Sequence, residues 1–144
     1  MQILAGTSGY SYKEWLGHFY PVKLPANAML RYYAERFTTV EINNTFYRMP
    51  AEEMLAHWLE EVPEHFAFTL KAPRRITHDK RLVDAESHVT EFVRRARLLG
   101  SRLGALLFQL PHYLKKDLPR LRDFLELLPA DTRAAFDFRH ESWY

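Results

Sequence analysis

The chain has 144 residues, about the size of one domain, with 47% hydrophobic and 26% charged side chains, the balance of a folded globular protein. A net charge of +2 argues against a strongly basic nucleic-acid binder, although a pI of about 8.9 leaves room for a local basic patch. The absence of cysteine excludes disulfides, thiolate nucleophiles, iron–sulfur clusters and Cys-ligated zinc, and fits a reducing compartment.

The first residues, MQILAGTSGYSYKEW, carry no basic n-region, and their apolar run is too short for a signal peptide. No window approaches the roughly 18 apolar residues of a membrane span. The expectation is a cytoplasmic protein with no membrane association.

In chain order, five β-like runs alternate with four helical patterns. Gln2 to Ser8 (QILAGTS) is the first strand candidate and Thr38 to Phe46 the second. Between them, Leu30, Tyr33, Ala34 and Phe37 recur at helical spacing. Pro50 opens a second helix striped with Met54, Leu55, Trp58 and Leu59, and Pro63 closes it. Phe66 to Ala72 is the third strand. Val89, Phe92, Val93, Ala96 and Leu99 mark a third helix, stopped by Gly100. Leu103 to Leu110 is the fourth strand. Leu118, Leu121, Phe124, Leu125 and Leu128 mark the fourth helix, ended by Pro129, and Ala134 to Arg139 is the fifth strand.

Strand–helix alternation implies βαβ units and a parallel sheet in a single domain. An open doubly wound sheet and a (β/α) barrel both satisfy it. GTSGYS lacks the third glycine of a dinucleotide-binding fingerprint. Strand starts lie roughly 33 residues apart, so eight units would need roughly 260 residues, the usual size of a (β/α)8 barrel. Five strands fit an open sheet as it stands, and a barrel only as a part.

Alternate residues of a strand share a face. Glu41 and Asn43 therefore pair, as do Thr69 with Lys71 and Asp137 with Arg139, while Gln109 stands near the end of the fourth strand. All fall toward the C-terminal ends of their strands, where parallel α/β folds bind ligands. Two readings fit these residues: an internal salt-bridge network, or a site in which Glu41 and Asp137 exchange protons while Lys71 and Arg139 hold an anion.

The segment KAPRRITHDKR, Lys71 to Arg81, follows the third strand as a basic loop with Arg74 near its start. It suits a phosphate, a carboxylate or a nucleic-acid backbone, or else cations paired on the surface. His78 and His140 follow strands and qualify as general acids or bases. No His spacing supports a metal, and His18, His57, His65, His88 and His112 read as surface or helix residues. Tyr10, Tyr12, Trp15, Phe46, Tyr47, Trp143 and Tyr144 gather at the same end, to stack on a ring or to cap the core.

Five stretches resemble the YecE-like family, also known as domain of unknown function 72. They are GTSGYSYKEWLGHFYP (Gly6 to Pro21), YYAERFTTVEINNTFYRMP (Tyr32 to Pro50), FTLKAPRRITHDKRL (Phe68 to Leu82), LGALLFQLP (Leu103 to Pro111) and FDFRHESWY (Phe136 to Tyr144). The resemblance implies a TIM-type (β/α) barrel, of which residues 1–144 form a single incomplete domain, an N-terminal portion of about five parallel strands and four helices. Family members continue through about three more strands and helices and tend to carry Glu where Asp137 stands and a smaller residue such as Ser where Asn44 stands. The shorter Asp137 reaches less far into the mouth.

The resulting expectation is a mouth that binds a small anionic, phosphorylated ligand, with hydrolase or isomerase/lyase-type acid–base chemistry. Glu41, Asp137, His78 and His140 are the candidate catalytic residues. Asn43, Asn44, Tyr47, Lys71, Arg74, Gln109, Arg139 and Trp143 are the candidate binding residues. No cofactor or metal is called for. A nucleic-acid-binding module using residues 71–81 is the alternative, and unpaired strand edges would permit self-association.

Overall fold

The computed structural model describes residues 3–144, so Gln2 of the expected first strand lies outside the described residues. Five strands form one parallel sheet: β1 Gly6–Ser8, β2 Thr39–Ile42, β3 Ala67–Lys71, β4 Leu103–Gln109 and β5 Ala134–Asp137. Each strand hydrogen-bonds to its sequence neighbour, in the spatial order β1-β2-β3-β4-β5. A doubly wound sheet reverses its strand order at a switch point. Among the described residues there is none, and the strand order is sequential throughout. The helices are α1 Met29–Ala34, α2 Asn44–Tyr47, α3 Glu52–Glu61, α4 Glu86–Ala96 and α5 Leu118–Glu126. Among the described residues, no helix is long and apolar enough to cross a membrane.

One face of the sheet is apolar and covered. Val40, Ile42, Phe68, Leu70, Leu106 and Phe108 pack against Tyr33 of α1, Leu55 and Trp58 of α3, Val89 and Phe92 of α4, and Phe124 of α5 in one core. Each large side chain buried this way contributes roughly 1.5–3 kcal/mol. The other face carries residues that are partly or fully exposed, including Ser8, Glu41, Thr69, Lys71, Ala105, Gln109 and Asp137.

A register irregularity between Phe68 and Thr69 sets which face β4 shows. Leu103 pairs with Phe68, yet Ala105 pairs with Thr69, which makes Gly104 the extra residue. The extra residue changes the strand's parity and turns Ala105, Leu107 and Gln109 to the uncovered face.

Two expectations need correction. β2 ends at Ile42, and Asn44 to Phe46 are helical rather than extended. The buried Thr45 hydroxyl shares its one proton between the carbonyls of Lys71 (2.6 Å) and Ile42 (3.0 Å), which folds the chain into α2. The basic segment is not a plain loop: Arg75–Asp79 forms one turn of π-helix, anchored by the buried Ile76 and Thr77.

Candidate functional site

The C-terminal ends of β1 to β5 meet at one rim. β1 reaches it through two glycines. A Cβ on Gly6 would lie 2.0 Å from the Thr39 carbonyl oxygen, so only glycine lets the strands approach this closely. Gly9 turns the chain at φ +87, and a Cβ there would meet the Tyr12 hydroxyl at 2.4 Å. That hydroxyl donates to the Ser8 carbonyl, and the Gly9 N–H donates to the Glu41 carbonyl at 2.8 Å. Ser8 is thereby held level with Glu41, its register partner.

From Ser8 a chain of hydrogen bonds runs across the rim. Lys71 Nζ donates to Asn43 Oδ1 at 3.4 Å, Asn43 Nδ2 donates to Ser8 Oγ at 2.7 Å, and Ser8 Oγ donates to Glu41 Oε1 at 3.0 Å. A cation and a carboxylate are joined through an amide and a hydroxyl, with every donor pointing the same way. Lys71 pairs directly with no carboxylate among the described residues, and its Nζ also sits 5.5 Å from the centre of the Phe46 ring.

Beside this chain lies a cavity of about 360 Å³, lined by Asn43, Tyr47, Lys71, His78, Gln109 and Arg139, with Phe46, Pro111 and His112 completing its wall. Its volume falls within the range of small-molecule sites, roughly 300–1,000 Å³. Five expected binding residues (Asn43, Tyr47, Lys71, Gln109 and Arg139) and one expected catalytic residue (His78) meet here. His78 Nδ1 is 2.9 Å from the Thr77 hydroxyl, which leaves Nε2 to face a ligand. Burial, then the nearby Arg74 charge, pushes the His78 pKa below its ordinary value, so the ring favours the neutral form.

The remaining expected residues sit differently. Arg139 donates to Asp137 Oδ2 from Nε at 2.8 Å and pairs again through its terminal nitrogen at 2.7 Å. The hydrogen bonds and charge of Asp137 raise the Arg139 pKa, and the field of Glu41 adds to this. Arg74 is exposed and paired with Asp79 at 3.2 Å. Asn44 lines a separate cavity of about 150 Å³ with Tyr10, Ser11 and Trp58. His140 Nδ1 accepts from the Ser142 backbone N–H at 3.0 Å, where it caps the turn Glu141–Trp143. Trp143 stacks on Phe138 with centroids 4.4 Å apart and donates to the Leu114 carbonyl, a core-capping arrangement.

Two residues of the rim were not anticipated from sequence. Ser8 was passed over because a serine between glycines looks like any turn. His112 is exposed, as expected, and in addition forms part of the cavity wall. A larger cleft of about 550 Å³ lies at the other end of the sheet, near Gly100 and Arg133. Its Arg97 and Asp131 pair with each other, and it holds no group from the strand C-termini.

One five-stranded parallel sheet with helices, and a polar cleft at the C-terminal ends of its strands, define an α/β protein. The sequence pattern of the family described as "Protein of unknown function DUF72" matches residues 4–144, and the chain belongs to that family. It is 32% identical over 143 residues to UPF0759 protein YecE of Escherichia coli, covering 99% of this chain and 50% of that protein. It is 27% identical to UPF0759 protein YunF of Bacillus subtilis over 141 residues, 90% of this chain and 50% of the relative. The chain therefore spans about half the length of the curated relatives it matches. The crystal structure of a DUF72 family protein from Thermotoga maritima superposes with a TM-score of 0.83 at 33% identity, over 97% of this chain and 56% of that one. One from Enterococcus faecalis gives 0.70 at 28% identity, over 81% and 50%.

Proposed function

We propose that this chain is the N-terminal portion of a (β/α)8-type barrel and that its mouth binds a small anionic, phosphorylated ligand in the cytoplasm. The observation that carries the ligand reading is the cavity at the strand C-termini, in which Lys71 and Arg139 stand beside the amides of Asn43 and Gln109. A cation without a carboxylate partner, set in a cleft, attracts anions, and phosphate offers charge and several acceptors at once.

The barrel reading is supported by the sequential strand order and by the uncovered sheet face. Parallel sheets are stable with both faces covered, and a barrel covers the inner face by closing on itself. As the sheet stands, β1 and β5 each pair on one side only, which favours self-association through those edges.

Glu41 is the acid–base group best placed for chemistry, because Asp137 is committed to Arg139. A neutral His78 suits a base or a hydrogen-bonding partner at Nε2. Hydrolysis and isomerase/lyase-type proton transfer both use such a set. Arg74, the second cation of the basic segment, is engaged by Asp79, which leaves less free charge for a nucleic-acid backbone.

The test is thermal unfolding of the chain with increasing inorganic phosphate. Binding raises the stability by about 2.7 kcal/mol at a hundred times Kd, and Lys71→Met removes about half of that gain. No rise, or a rise untouched by Lys71→Met and Arg139→Gln, contradicts the reading. Once turnover is found, Glu41→Gln abolishes it while inorganic phosphate still binds.

A further inference from the structure

We propose that the mouth takes a phosphorylated sugar, held by its phosphate at Lys71 and Arg139 and by its hydroxyls at Ser8 and Glu41. The inference rests on the anion-binding reading above and narrows its ligand class. It follows from counting the donors and acceptors that the hydrogen-bond chain leaves over.

A serine hydroxyl has one proton and two acceptor lone pairs. The Ser8 proton is committed to Glu41 Oε1, and one lone pair receives Asn43 Nδ2. Towards a ligand, Ser8 therefore offers only an acceptor. Glu41 has spent Oε1 on Ser8 and keeps Oε2, again an acceptor. Ser8 and Glu41 do not line the cavity itself but adjoin it through Asn43, so the β1–β2 side of the rim presents two acceptors to any ligand that reaches beyond the cavity wall. The β3–β5 side presents Lys71, which pairs with no carboxylate among the described residues, and Arg139, which shares its guanidinium with Asp137; their N–H groups donate and invite an anion. Asn43 lies between, with Oδ1 turned to Lys71 and Nδ2 to Ser8, so its amide orientation is fixed from both ends.

The two demands differ in kind and must be met by one molecule. Inorganic phosphate at neutral pH meets the cationic side and brings little to the acceptor side. A DNA backbone brings phosphates and no free hydroxyls along its length, and an RNA backbone brings one per nucleotide. A sugar phosphate meets both, with its phosphate oxygens on the cations and its ring hydroxyls donating to Ser8 and Glu41. The exposed ring of Tyr47 on the rim gives the apolar face of a sugar a surface to lie against. A site that hydrogen-bonds substrate hydroxyls rejects analogues lacking them, because its own polar groups are then left unpaired.

The experiment is calorimetric titration of the chain with ribose 5-phosphate, glucose 6-phosphate, methyl phosphate and inorganic phosphate. At least one sugar phosphate binds tenfold or more tightly than methyl phosphate. Ser8→Ala and Glu41→Gln each shrink that preference severalfold without weakening methyl phosphate binding, whereas Ser8→Thr, which keeps the hydroxyl, retains it. Unfolding curves on each variant show that it is folded. Glu41→Gln preserves the shape of the site and decides the matter if Ser8→Ala does not fold. Equal affinity for all four phosphates, or Ser8→Ala weakening all of them alike, overturns the sugar assignment while the anion site stands. If none of the four binds, the anion site and the sugar assignment fall together.

Discussion

On the helix-covered face of the sheet, Val40, Ile42, Phe68, Leu70, Leu106 and Phe108 are each at most 3% exposed. On the opposite face the same three strands carry Glu41, Thr69, Lys71, Leu107 and Gln109, none of which is buried. Adjacent residues of one strand thus serve different ends. The covered residues hold the sheet to its helices by removing apolar area from water. The uncovered ones add little to that and instead converge on the rim, where charge and hydrogen-bonding capacity remain available. Substitution should therefore separate stability from binding according to residue parity.

The largest effect belongs to the covered face. Phe68 is fully buried, with Trp58 stacked at 5.6 Å and Phe66 edge-on at 5.0 Å. Phe68→Ala costs about 3–5 kcal/mol in denaturant unfolding, and a loss under about 1 kcal/mol would break the comparison. Gly9→Ala comes next. Its left-handed backbone and the clash with the Tyr12 hydroxyl destabilise by about 1–2 kcal/mol, and the displaced Ser8 weakens binding as well. Lys71→Met sharpens the contrast from the other face. It changes unfolding free energy by less than about 0.5 kcal/mol and lowers phosphate affinity about tenfold, the equivalent of about 1.4 kcal/mol.

Two smaller effects test the electrostatics of the rim. Asp137→Asn frees Arg139 from a partly exposed pair and costs at most about 1 kcal/mol of stability. Phosphate affinity rises if Asp137 competes with the ligand for that guanidinium. His78 has a folded pKa below its unfolded value of about 6.5. The unfolded chain therefore takes up the proton first. The associated stability is full above about pH 6.5 and is lost as the pH falls through the lowered folded pKa. His78→Gln flattens that part of a stability–pH profile, and an unchanged slope would mean that the ring is not held neutral.

Much of this organisation could be read from residue patterns. The apolar stripes of α3 and α4 and the alternation along β3 and β4 report directly on burial, because burial acts on each residue through its own spacing, whereas of the stripe expected on α5 Phe124 is buried and Leu118 and Leu125 are exposed. Lys71, Asn43 and Gln109 were legible as polar interruptions of apolar strands. Ser8 was not, since its role depends on Glu41, 33 residues away, through the β1–β2 register. The end of β2 was hidden for a similar reason. Thr45 and Phe46 favour strands by propensity, but the Thr45 hydroxyl finds the Ile42 and Lys71 carbonyls and turns the chain into α2. His112 reached the cavity because the chain turns back over the rim just after β4. Asp137 was legible as an acid near the mouth, yet the two hydrogen bonds that commit it to Arg139 are a matter of side-chain geometry.

The most direct test is an amide-resolved NMR titration of the chain with ribose 5-phosphate. The account predicts saturable shifts centred on Ser8, Asn43, Tyr47, Lys71, Gln109 and Arg139, with the helix-covered face and the Arg97–Asp131 cleft unmoved. Shifts centred on that cleft, or a spectrum that does not respond, would contradict it.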